Sequence, residues 1–62
     1  MEEKKDVILN VLTEEWQSTT QIMKQVKMNW YIVALNLVYL ECEGKAEKME
    51  TSRSIFWRKN EN

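Results

Sequence analysis

The 62-residue chain contains no proline, no histidine, one glycine and one cysteine. A lone cysteine can build neither a disulfide nor a thiolate metal site within one copy, which fits a reducing, intracellular compartment. Without histidine the commonest general base and the commonest metal ligand are missing. There is no glycine-rich phosphate loop, and the carboxylates are scattered along solvated helix positions. No constellation therefore meets the geometric needs of an active site, and the chain reads as no enzyme, with no cofactor and no metal. Long apolar runs are absent too. The opening MEEKKDVILN is charged and then amphipathic, unlike a signal peptide or a membrane span, and implies a cytoplasmic, soluble protein with no membrane partner.

A chain of this length suffices for one small domain over residues 1–62, with stability that is marginal or shared with a partner. The formal net charge of −1 argues against non-specific attraction to nucleic acid. Its distribution says more. Residues 1–16 set Lys4 and Lys5 against Glu2, Glu3, Asp6, Glu14 and Glu15, whereas residues 17–40 carry only Lys24 and Lys27, and residues 51–60 only Arg53, Arg58 and Lys59. Two segments are thus basic and free of acids, and the intervening Glu41, Glu43, Glu47 and Glu50 alternate with Lys45 and Lys48 on a solvated face.

Apolar spacing predicts three helices, over about residues 3–14, 19–26 and 29–43. Val7, Ile8, Val11 and Leu12 form the inward stripe of the first, and its early acids suit the positive end of the helix dipole. A short extended link, Gln17 to Thr19, follows Trp16, and Ser18 or Thr19 caps the second helix, whose Ile22 and Val26 face inward. Met28 sits in the turn, Asn29 caps the third helix, and Val33, Leu37 and Leu40 fall on its inner side. Gly44 ends that helix in a left-handed conformation. The segments KAEKMET and SIFWRK read as strands of a hairpin over about 45–59 with Thr51-Ser52-Arg53-Ser54 at its tip, leaving a frayed tail at 60–62. Ile8, Leu12, Ile22, Val33, Leu37, Leu40 and Trp57 are the expected core, Ile55 sharing the face of Trp57 and Phe56 pointing away.

From Thr19 to Gly44 the order of small polar residue, Ile22, Val26, turn, Met28, capping Asn29, Val33, Leu37, Leu40 and glycine resembles a winged helix-turn-helix domain. The resemblance implies an α+β fold, three helices followed by a two-stranded β-hairpin wing, and a small transcriptional regulator of prokaryotic or archaeal type that binds double-stranded DNA as a homodimer. It places the third helix in the major groove and the wing on the neighbouring backbone or minor groove. Carried onto this chain, the DNA-contacting residues are Thr19, Lys24, Lys27, Asn29, Trp30, Tyr31, Leu35, Asn36, Arg53, Arg58 and Lys59, with Lys24 and Lys27 at the turn converging with the wing cations on phosphates.

The outward side of the third helix departs from that pattern. Tyr31, Leu35, Val38 and Cys42, with Ile32 and Tyr39 beside them, are apolar where base-reading polar residues are expected, leaving Asn29, Asn36 and the tyrosine hydroxyls to read base edges. A helix apolar nearly all round needs cover, so Leu35, Val38, Tyr39 and Cys42 are also the expected dimer or partner interface. Trp30 lies nearer the inward side and favours packing, whereas Tyr31 points outward. The competing function is a winged-helix interaction module that never touches DNA; a weaker third is single-strand binding by stacking on Tyr31 and Phe56.

Overall fold

The computed structural model describes residues 2–61. The elements run α1 (Glu2–Val11), β1 (Gln17–Ser18), α2 (Thr19–Val26), α3 (Trp30–Cys42), β2 (Ala46–Glu50) and β3 (Ile55–Lys59). The strands form one antiparallel sheet in the order β1-β3-β2, with Gln17 opposite Trp57, Lys48 opposite Trp57 and Glu50 opposite Ile55.

Each helix boundary has a local cause. Ser18 caps α2 through a reciprocal box: its hydroxyl accepts from the Gln21 N–H at 3.1 Å while the Gln21 side chain accepts from the Ser18 N–H at 2.8 Å. Lys27 closes α2 in the left-handed region at φ 59°, its N–H bonded to the Met23 carbonyl at 2.8 Å. Two residues later the Asn29 carboxamide accepts from the Ile32 N–H at 2.9 Å and starts α3. At the other end of α3 the N–H of Lys45 reaches the Leu40 carbonyl at 2.8 Å and that of Gly44 reaches Glu41 at 3.0 Å. This paired closure needs a left-handed residue between the two, and Gly44 supplies it at φ 77°.

Three expectations are corrected. The first helix stops at Val11 and not near Glu14: Leu12 turns back to the Leu9 carbonyl at 3.2 Å, and the Thr13 carbonyl is taken by the N–H of Lys59 at 2.7 Å, drawing the chain toward β3. Val7 is 43% exposed and outside the core, its place on the inner side taken by Leu9. Asn60 is not frayed, since its N–H and side chain bond the carbonyls of Lys45 (3.1 Å) and Gly44 (2.9 Å). Asn62 lies outside the described residues.

The core is Ile8, Leu12, Ile22, Val33, Leu37, Leu40, Ala46 and Trp57, with Leu9, Val11, Met23, Val26, Met28 and Ile55 packed on its margin. All seven residues expected from periodicity are in it. Gln17 ties the elements above the core: its side chain donates to the Val11 carbonyl at 3.3 Å and accepts from Gln25 at 2.6 Å, linking the end of α1 to α2. Among the described residues no helix is long and apolar enough to cross a membrane.

Candidate nucleic-acid interface

The start of α3, the start of α2 and the tip of the β2–β3 hairpin meet around an open groove of about 350 Å³ lined by Ser18, Thr19, Thr20, Trp30 and residues 51–55. The hairpin tip is held by Thr51, whose hydroxyl accepts from the N–H groups of Arg53 (3.2 Å) and Ser54 (3.1 Å) and whose N–H bonds the Ser54 carbonyl at 2.9 Å. The loop is thereby a shaped turn that projects Arg53. No carboxylate lines this groove.

The cations divide into two groups. Lys5 and Lys45 pair with Glu43, Lys48 with Glu41 at 3.8 Å, and Arg58 with Glu47 at 2.7 Å. Lys4, Lys24, Lys27, Arg53 and Lys59 have no carboxylate partner among the described residues, and of these Lys24, Lys27 and Arg53 lie on the acid-free segments around α3 and the hairpin tip. The Lys5 contact joins α1 to the end of α3, and its hydrogen bond, the largest influence, together with the nearby charges of Lys5 and Lys45 holds the Glu43 carboxyl below the usual carboxylate range against an opposing desolvation that exceeds either charge alone.

The site residues expected from the sequence do not all converge. Arg58 belongs to the base of the hairpin, where its guanidinium bonds Glu47 and lies 4.5 Å from the centre of the Trp16 ring. Lys59 stands opposite Ala46 at the same end, about 13 Å along the strand from Ile55 at the tip end. Neither is brought to Arg53. Thr19 is not presented to a ligand either: its side chain is 3% exposed, accepts from the Trp57 indole N–H at 2.8 Å and donates to the Ile55 carbonyl at 3.3 Å. Trp30, read as favouring packing, is 47% exposed and forms a wall of the groove, and its neighbour Tyr31 is 68% exposed.

The two asparagines are also committed locally. Asn29 spends its oxygen on the cap of α3, and Asn36 donates its amide to the Ile32 carbonyl one turn back at 2.8 Å. Leu35, Val38, Tyr39 and Cys42 are exposed along the outer side of α3. What this side offers a partner is therefore aromatic and aliphatic surface, with the tyrosine hydroxyls as its polar tips. Among the described residues there is no group of three or more metal-ligating side chains. Thr20 and Ser52, which the sequence offers as neutral phosphate contacts beside their capping and turn roles, line the groove with hydroxyls that have no hydrogen bond among the described residues.

Three helices, a short strand and a β-hairpin, with the second and third helices joined by a left-handed turn, define a winged helix-turn-helix fold of the α+β class. The reduced form of HlyU from Vibrio cholerae N16961 has the same fold: it superposes with a TM-score of 0.81 over 95% of this chain at 14% sequence identity. This chain spans 62% of the length of that protein. Neither a protein-family model nor a curated protein matches the sequence.

Proposed function

We propose that the chain is a DNA-binding transcriptional regulator that sets α3 against the major groove and rests the 51–54 turn on the adjacent backbone. The observation that carries this reading is the sorting of charge. Lys24 at the end of α2, Lys27 in the turn before α3 and Arg53 at the hairpin tip stay unpartnered on acid-free segments, while Lys5, Lys45, Lys48 and Arg58 are matched to carboxylates elsewhere and the remaining unpaired cations, Lys4 and Lys59, lie on α1 and at the base of the hairpin. Unpaired cations at those two places suit phosphates on either side of one groove. With three such cations per copy, binding is weak and its salt dependence shallow. Fluorescence anisotropy on a labelled duplex across a salt series tests it: no affinity at low salt overturns the reading.

A second reading draws on the exposed apolar side of α3. Leu35 is 36% exposed, Val38 41% and Tyr39 50%, and this surface suits contact with a second copy, making the functional unit a homodimer, or with another protein. Sedimentation of the unmodified protein, read together with the duplex titration, distinguishes the two, since a dimer that ignores DNA is an interaction module.

A further inference from the structure

We propose that the groove between Trp30 and the hairpin tip receives an unpaired nucleotide, so that the protein prefers DNA at a single-strand to double-strand junction over fully paired duplex. This rests on the DNA-binding reading and names the kind of DNA. Trp30 opens α3 on one wall of the groove and is 47% exposed as a residue, and Tyr31 beside it is 68% exposed. An exposed indole at the mouth of a polar groove is a stacking surface for a base, and every base has a face to offer it. The facing wall is polar and cationic: Arg53, Ser52 and, from α2, Thr20 have side chains with no hydrogen bond among the described residues, so they are available to the phosphate and sugar of the same nucleotide. The volume, about 350 Å³, lies at the small end of ligand sites, which run to about 300–1,000 Å³.

The rest of α3 points the same way. Readout of paired bases is best done by a whole carboxamide in bidentate contact on the outer side of the helix, and Asn29 and Asn36 each spend half of theirs within their own helix, the oxygen of Asn29 and the amide of Asn36. A stacked base needs neither of them. The groove thus recognises that a base is free, with little regard to which base it is.

The test is anisotropy titration of the protein with two labelled probes, a blunt duplex and the same duplex carrying a short thymidine tail, and with unlabelled thymidine monophosphate as competitor. The expected result is about tenfold tighter binding of the tailed duplex, the change one stacked base makes. Trp30→Ala should bring the ratio of tailed to blunt affinity down to about one, whatever it does to blunt-duplex affinity itself, and Trp30→Phe should restore part of that ratio. Because Trp30 lies outside the core, an unchanged melting curve verifies that both variants fold. Equal affinity for blunt and tailed DNA, or a preference that survives Trp30→Ala, overturns this proposal and leaves the DNA-binding reading standing. Absence of binding to any DNA at low salt overturns both. Competition by the mononucleotide as effective as that by the tailed duplex also overturns it, since the groove would then serve a free nucleotide.

Discussion

The indole N–H of Trp57 donates to the hydroxyl of Thr19 over 2.8 Å, and that hydroxyl donates onward to the Ile55 carbonyl at 3.3 Å. Among the described residues Thr19 is the buried polar one, and it fastens the first turn of α2 to β3. Thr19→Val preserves shape and removes both bonds, stranding a donor and an acceptor away from water. The expected loss is about 1–3 kcal/mol in urea denaturation, and Thr19→Ser should recover most of it. A valine variant as stable as the parent would show that the two bonds contribute nothing net.

Leu40 is 1% exposed and belongs to the same core cluster as Ile8, Leu37 and Trp57, in a chain whose whole stability is expected to be about 3–9 kcal/mol. Leu40→Ala should cost about 2–5 kcal/mol, enough to abolish the cooperative melt. An unchanged melt would contradict the inward side of α3.

The core was legible because period and cap signals agreed: Val33, Leu37 and Leu40 recur at helical spacing between a capping Asn29 and a left-handed Gly44, and the helix forms between those limits. The end of α1 was not, because Glu14 and Glu15 are good helix formers and only the distant Lys59 N–H, by taking the Thr13 carbonyl, turns the chain aside. The groove was legible in part. Charge spacing singled out Lys27 and Arg53, but Thr19 and Arg58 carry no local mark of their partners. A buried indole 38 residues away and a cross-strand carboxylate decide them, and both are tertiary facts.

The ion pair between Lys5 and Glu43 couples α1 to the end of α3, and the lowered pKa of Glu43 gives that coupling a pH signature. A carboxyl with a folded pKa below its unfolded value adds stability above the ordinary carboxylate range, and loses it as pH falls through the lowered value. Glu43→Gln should therefore melt at lower temperature than the parent at neutral pH. The two curves should converge at acid pH, once the carboxyl is protonated in both the folded and the unfolded parent. A difference that persists unchanged into acid would assign the effect to packing.

Self-association through the outer side of α3 predicts a change in solution mass. Leu35→Glu places a charge at the centre of the exposed strip of Tyr31, Leu35, Val38 and Tyr39, and it should shift the protein toward monomer in sedimentation velocity without lowering the melting temperature of the fold. Leu35 is outside the core, so loss of the dimer and loss of folding are separable. A parent chain that is monomeric at high concentration removes this surface as a homodimer contact.

The contrast between Arg53 and Arg58 gives the sharpest test of the DNA-binding reading. Both are arginines of the hairpin, yet Arg53 is an exposed tip residue with no carboxylate partner among the described residues, whereas Arg58 is held by Glu47 at 2.7 Å and by the Trp16 ring. A residue that neutralises one phosphate contributes about one unit to the slope of log affinity against log salt. Arg53→Ala should lower that slope by about one and weaken binding on every duplex sequence alike. Lys27→Asn removes the charge and places at φ 59° a residue more tolerant of that conformation than the lysine, and should have a similar effect. Arg58→Ala should leave the slope unchanged. If instead Arg58→Ala flattens the slope and Arg53→Ala does not, the phosphates lie at the base of the hairpin, and the groove beside Trp30 is not where DNA is held.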